Sequence, residues 1–362
     1  MYDFELSDEQ SMVLDTVKKL VQDVVEPVAL ERDEHRQFVR EGYDGLAELG
    51  LFGVAVAEAE GGAGLGLTSL ALALSELGKG CGSTGRMFLT QAALCARALE
   101  GVAAAADAAG QIMSGEAIGC WIGPEHRVTA RADGDQFVLD GSARIAIAAT
   151  EAQLLLVAAR LDDLPALFVV PVALARVAAV EALGFHGAAP GSVEFAAVQL
   201  AGETCVARGD EAAAAIARAA LAAHIGAAAL AAGSALESIE LGRRHAEERI
   251  AFGKPLARQQ AVGHKLVESR RRAEAGLLLA LRAARSADRG EDAREAAWLA
   301  RLTAVDAALH AADEAIQIHG GYGYTVEYHV ERHYRDAKTL EVLDGGADAL
   351  RDALVQAMAA RA

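Results

Sequence analysis

The apolar positions along the chain fall into three successive textures. From Ser7 to about Gln111 they recur at three and four, as in Val13, Val17, Leu20, Val21 and Val24, which is the period of an amphipathic helix. Ser7 ahead of Asp8, Glu9 and Gln10 makes a capping-box-like start, since a Ser hydroxyl and the side chain three residues on can satisfy each other's free N–H. Gly50, Gly53 and the cluster Gly61, Gly62, Gly64, Gly66 punctuate the helices that follow. From about Gly115 to Arg208 the pattern becomes short runs of Val, Ile, Leu and Phe between turn residues. Gln136–Leu139, bracketed by Asp133-Gly134-Asp135 and Asp140-Gly141, reads as part of a hairpin. Leu154–Ala158, Ala166–Val170 and Ser192–Val198 read as further strands. From Asp210 onward four or five long amphipathic helices are predicted, with breaks near Phe252-Gly253-Lys254-Pro255, Asp288-Arg289-Gly290 and His319-Gly320-Gly321. The order predicts an α+β chain: an N-terminal helical domain over 1–114, a middle β-barrel-like domain over 115–209 and a C-terminal helical bundle over 210–362.

Composition sharpens this picture. The 362 residues are 53% hydrophobic but only 5% aromatic, so the core must be built from Ala, Leu and Val. Ala-rich runs such as Glu211–Ala232 favour closely packed helices, and Arg218 and His224 within that run argue against a membrane span. A formal charge of −17 repels nucleic acid and anionic membranes, so neither is an expected partner. The four cysteines, Cys81, Cys95, Cys120 and Cys205, form no C-x-x-C pair, which suits a reducing cytoplasm rather than a disulfide framework. The start MYDFELSDEQ is acidic and does not read as a signal peptide. A soluble cytoplasmic protein is expected.

Most local signals of chemistry are weak. Gly61-Gly62-Ala63-Gly64-Leu65-Gly66 fits neither G-x-G-x-x-G nor the P-loop and reads as a turn between helices. His329 and His333 stand at i, i+4 with Glu331 between, but two ligands do not close a site, and no metal is expected. No G-x-S-x-G nucleophile elbow occurs. The C-terminal third is more informative. Arg249-Ile250-Ala251-Phe252-Gly253-Lys254-Pro255 is followed by Gln260, then Gln317-Ile318-His319-Gly320-Gly321-Tyr322-Gly323-Tyr324, Val330-Glu331-Arg332, Arg335-Asp336-Ala337-Lys338 and Asp344-Gly345. In order and spacing this resembles the acyl-CoA dehydrogenases, whose C-terminal domains carry R-x-x-F-G-K-P…Q, Q-x-x-G-G-x-G-[YF], V-E-R, R-D-A-K and E-G-T. The F-x-L-S-x-E-Q start at Phe4 and the turn Glu60–Leu65 are similar to that family too. The resemblance spans essentially the whole chain; each motif alone is weak, and their common register is what carries it.

The resemblance implies FAD in an extended pose across a subunit interface. Arg249, Phe252, Gln260 and Gln317 would meet its pyrophosphate and adenosine half, and Gly320-Gly321 would let the backbone come close. It implies α,β-dehydrogenation of an acyl-CoA thioester, with an electron-transfer flavoprotein or other acceptor taking the electrons. The family's base is the Glu of E-G-T, matched here by Asp344, one methylene shorter. Misplacement by ~1 Å can cost ~10²-fold in rate. The segments that hold the flavin ring in the family, T-E-P-x-A-G-S-D and W-I-T-N, are matched only by Ile118–Glu125 and Arg144–Ala149, and His224 stands where the family often has Arg. Two roles follow: a dehydrogenase subunit using Asp344, or a non-catalytic partner that completes the FAD site of a second acyl-CoA dehydrogenase subunit in a homo- or hetero-oligomer.

Overall fold

A computed structural model describes residues 5–360; Phe4, the first residue of the F-x-L-S start, lies outside them. Ser7 opens α1 (Asp8–Leu20) with a reciprocal cap: Gln10 N–H donates to Ser7 Oγ at 3.2 Å and Ser7 N–H to Gln10 Oε1 at 3.1 Å. The chain runs through a wider turn, Val21–Val25, into α2 (Glu26–Glu34). Next come α3 (Arg40–Glu48), α4 (Gly66–Gly80), α5 (Gly82–Phe88), the short α6 (Arg97–Leu99) and α7 (Ala106–Met113). The glycine turn leads into α4, whose first free N–H groups are taken by the chain itself. Leu67 and Thr68 donate their amides to the Asp288 carboxylate at 2.6 and 2.9 Å, and the Thr68 hydroxyl donates at 2.6 Å. The anion at this helix start is therefore Asp288, which also suits the helix dipole.

The middle of the chain forms one mixed sheet from β1 (Gly119–Ile122), β2 (Thr129–Asp133), β3 (Gln136–Ala146), β4 (Leu154–Leu161), β5 (Leu164–Pro171), β6 (Arg176–Ala179), β7 (Gly191–Ala201) and β8 (Cys205–Arg208). The strand order is β6-β7-β3-β2-β4-β5-β8, with β1 beside β4, and the two edge strands β6 and β8 are not paired to each other. Gly134-Asp135 is the predicted hairpin turn between β2 and β3. Asp140-Gly141 is not a second turn. β3 continues through it to Ala146 with a bulge between Leu139 and Gly141, and the Asp140 carboxylate accepts from Ala197 N–H of β7 at 3.0 Å.

The last part is helical: α8 (Gly209–Glu248), a small hairpin of β9 (Ile250–Ala251) and β10 (Lys254–Pro255), α9 (Gln260–Asp288), α10 (Arg294–His319), α11 (Val330–Val342) and α12 (Gly346–Ala359). Among the described residues α8 alone is long and apolar enough to cross a membrane, yet 78% of its most apolar stretch is buried inside the protein. Small residues explain how so many helices reach it. A Cβ on Gly78 of α4 would collide with the Leu230 carbonyl of α8, and one on Gly233 with the Ser75 carbonyl, so glycine at both positions permits the close crossing. α10 runs in the same direction as α8, since Arg301 meets His224 near one end and Ala315 meets Gly242 near the other.

Candidate functional site

Strand pairing creates the first site. β1 and β2 pair in parallel with successive stretches of β4, Gly119–Ile122 against Leu154–Val157 and Thr129–Ala130 against Arg160–Leu161. Their connection, Gly123–Val128, must therefore leave the sheet opposite Ala158 and Ala159, and it does so in a tight turn at Pro124–His126. A void lies on each side of that turn. The larger is an open cleft of about 960 Å³, floored by Ala130, Ala158 and Ala159, edged by Arg127 and Arg160, and bounded by Pro124 and by Ile216 of α8. The smaller is a cavity of about 180 Å³ walled by Trp121, Ile145–Ile147, Arg86, Glu125, His126 and Asp344.

Asp344 reaches the cavity because Asp344, Gly345 and Gly346 all take left-handed backbone angles, φ 50°, 86° and 71°, a run suited to Asp and glycine. Its carboxylate is not free. Arg86 of α5, only 2% exposed, donates Nη1 to Oδ2 at 2.6 Å and Nη2 to Oδ1 at 2.9 Å. Arg86 Nε is buried with no hydrogen-bond partner. Behind them the buried Arg301 of α10 donates to the carbonyls of Leu340 and Leu343 at 3.1 and 2.6 Å and to His224 Nδ1 at 3.0 Å. A guanidinium can only donate, so that ring nitrogen is the acceptor and the neutral imidazole carries its proton on Nε2. Burial, reinforced by Arg301, keeps His224 neutral, with its pKa down to about 3.

The two carboxyl groups of the cavity are driven apart. Burial opposes ionisation of Asp344, but the charge and hydrogen bonds of Arg86, with Arg301 and His224, hold it down to about 2. Glu125, whose side chain is 29% exposed, is pushed up to about 7 by burial and then by the negative charge of Asp344. Environments that split a carboxylate pair in this way assign different protonation roles to its members.

The second site is at the far end of the bundle. The ring of His245, near the end of α8, stacks on that of His319, the last residue of α10, with centroids 4.3 Å apart, and Tyr328 packs edge-on against both. This contact brings the β9–β10 hairpin and the Gly320–Tyr324 turn to one end of the bundle. Arg249, Phe252, Gln260, Gln317, Gly320 and Gly321 are all exposed, Phe252 at 96%. Among the described residues the side chains of Arg249, Gln260 and Gln317 have no hydrogen-bond partner, and nothing lies within 4 Å of where a Cβ on Gly320 or Gly321 would be. Free donors around an unobstructed glycine backbone fit the phosphate-and-adenosine half of a dinucleotide.

The sequence reading thus splits in space. Asp344 lies at the cavity and the six cofactor candidates lie elsewhere; from His224 to Glu248 along α8 is about 36 Å at ~1.5 Å per residue. Arg86, Trp121, Glu125 and Arg301 were not singled out, and only Glu125 had a signal, its place beside Pro124 in the segment matching T-E-P. The histidine pair does not converge: His333 Nδ1 bonds Ser234 Oγ at 2.9 Å, whereas His329 Nδ1 bonds the Val326 carbonyl at 2.9 Å.

Comparison with known proteins matches residues 7–107 to the family description "Acyl-CoA dehydrogenase, N-terminal domain" and residues 214–359 to "Acyl-CoA dehydrogenase, C-terminal domain". The human mitochondrial short-chain specific acyl-CoA dehydrogenase is 29% identical over 367 residues, covering 96% of this chain and 89% of that protein. Butyryl-CoA dehydrogenase from Megasphaera elsdenii superposes with a TM-score of 0.91 at 26% identity, over 99% of this chain and 100% of the other. A glutaryl-CoA dehydrogenase from Mycobacterium smegmatis, solved with FADH2, shares the fold with a TM-score of 0.88 at 24% identity, over 96% and 95%.

Proposed function

Because the chain belongs to the acyl-CoA dehydrogenase family of FAD-dependent oxidoreductases, we propose that it is a subunit of an oligomeric dehydrogenase holding an acyl-CoA thioester at the cleft and cavity beside Pro124–His126. The observation that carries this reading is the juxtaposition, across one turn, of a cleft large enough for an extended ligand and a small cavity bearing two carboxyl groups. Arg127 and Arg160 line the cleft together with Asp162 and Asp163, and Arg160 is paired with Asp163 at 2.6 Å, so Arg127 is the cation that would meet a polyanionic thioester. Arg249, with Gln260 and Gln317, would hold the adenosine half of an FAD whose flavin ring belongs to a neighbouring subunit. Bound FAD supplies a hydride acceptor for the β-carbon, and an electron-transfer flavoprotein or similar acceptor would reoxidise it.

The test is anaerobic mixing of the assembled protein with butyryl-CoA, following loss of flavin absorbance in a single turnover. Arg249→Ala should weaken FAD binding by about 10- to 100-fold, the worth of a charge-assisted hydrogen bond. Unchanged FAD affinity in that variant would remove the adenosine-side role. A second reading, the non-catalytic partner, is favoured by the engaged Asp344 carboxylate and by a cavity below the roughly 300–1,000 Å³ of ordinary ligand pockets. On that reading the chain purified alone is flavin-poor, and co-expression with a complete homologue yields a yellow complex. Full FAD occupancy of the isolated chain would count against it.

A further inference from the structure

We propose that Glu125 accepts the α-proton of a bound acyl thioester and that Asp344 is the positioning residue that anchors Arg86 at the cavity wall. The proposal rests on the reading that an acyl-CoA thioester occupies the cleft and the cavity. Pro124 borders the cleft, whereas Glu125 and His126 border the cavity, so a ligand extending from one void to the other passes this turn. The thioester end of such a ligand meets Glu125.

Three features distinguish the two carboxylates. Each Asp344 oxygen already accepts a charge-assisted bond from one Arg86 nitrogen, which makes that carboxylate a poor proton acceptor. Glu125 has no such partner; its nearest ionic neighbour is His126 Nε2 at 3.5 Å, and burial keeps that imidazole's pKa below the usual histidine value. Asp344 from the loop before α12, Arg86 from α5 and Arg301 from α10 act on Glu125, Arg144 of β3 lines the same cavity, and burial with the charge of Asp344 raises Glu125 to about 7. A base tuned near the working pH is the efficient one. The third feature is Arg86 itself. Both of its Nη atoms are held by Asp344, so that carboxylate is committed to fixing a buried cation in the cavity wall.

The step balances without an oxidant. The Cα–H bond breaks, the proton moves to a Glu125 oxygen, and the electron pair shifts toward the thioester oxygen, a shift that the positive charge of Arg86 in the cavity wall favours. Return of a proton from Glu125 to Cα restores the thioester. In D2O the returning particle is a deuteron, so the reaction is visible as isotope exchange.

The experiment incubates the full-length protein with butyryl-CoA and octanoyl-CoA in D2O, measuring α-deuterium by mass spectrometry across the neutral pH range and binding by calorimetry. Exchange should rise with pH through about 7 in the wild type. Glu125→Gln should lower it by ~10²-fold or more and abolish the pH dependence. Glu125→Asp should retain part of the rate, and Asp344→Asn should lower the rate and move the pH profile to lower pH, because the charge of Asp344 helps to raise Glu125. Unchanged exchange in Glu125→Gln overturns the proposal, as does thioester binding by the wild type without exchange. Failure to bind either thioester overturns the substrate reading itself, which the calorimetry distinguishes from a failure of Glu125.

Discussion

Replacing Asp344 by Asn removes one negative charge from a pocket that keeps Arg86 and Arg301 in place. Side-chain exposure is 3% for Arg86 and 14% for Asp344, so the pair is close to dry. Removing one partner of such a pair costs about 3–5 kcal/mol, because the other charge is left buried and uncompensated. Holding the Asp344 carboxyl down to about 2, against an ordinary value of 3.8, corresponds to on the order of 2–3 kcal/mol. Asn keeps one acceptor for Arg86, and about 3 kcal/mol is expected. The folded pKa lies below the unfolded one, so this stabilisation is present above the ordinary carboxylate range and is lost as pH falls through about 2. The double replacement Arg86→Met with Asp344→Asn removes both charges of the pair while keeping a residue that tolerates the left-handed backbone, and should cost less than the sum of the two single changes. Urea unfolding of the four proteins in a double-mutant cycle measures the coupling. Additivity within about 0.5 kcal/mol would refute the claim that these residues act as one buried ion pair.

Two further outcomes follow from other buried carboxylates. Asp336, which accepts from Phe185 N–H at 2.6 Å, is pushed up to about 7 by burial. Its folded pKa lies above the unfolded one, so its contribution is greatest below the ordinary carboxylate range and is lost as pH rises through about 7. Asp336→Asn should flatten thermal stability across that interval, and an unaltered slope in melts at several pH values would rule it out. Asp288→Ala should cost about 1–2 kcal/mol by uncapping α4. The amides of Leu67 and Thr68 should then exchange faster with solvent, and unchanged protection would contradict the capping role.

Period and punctuation made the helices and strands legible, because each is decided within a dozen residues. Asp140-Gly141 shows the limit of that locality. The same dipeptide serves a turn or a bulge, and the choice is made by pairing of β3 with β7, which lies more than fifty residues away. The cofactor candidates were named through a family resemblance in motif order, and the structure gathers them at one end of the bundle, with the Gly320 turn at the end of α10. The cavity was not legible. Arg86 lies 258 residues from Asp344, in the run Gly85-Arg86-Met87 that looks like any helical stretch. Nothing in its neighbourhood says that its guanidinium is buried, and Asp344 looks like a free base until that partner is seen.

The geometry of α8 links these two results. His224 belongs to the charge network behind Asp344, while Arg249 follows the helix's last residue, about 36 Å away. α10 bridges the same interval, from Arg301 to His319. A dinucleotide lying against one cavity therefore cannot meet the Arg249 cradle of the same chain without spanning the length of the bundle. On the proposed function, the exposed Arg249, Gln260, Gln317 and Phe252 would meet a second subunit's cofactor, with no rearrangement of the helices. It follows that substitutions at the two ends should separate: Arg249→Ala should act on flavin retention, whereas Glu125→Gln should act on α-proton exchange. A variant at one end that changed both readouts together would show that the two sites serve one cofactor within a single chain.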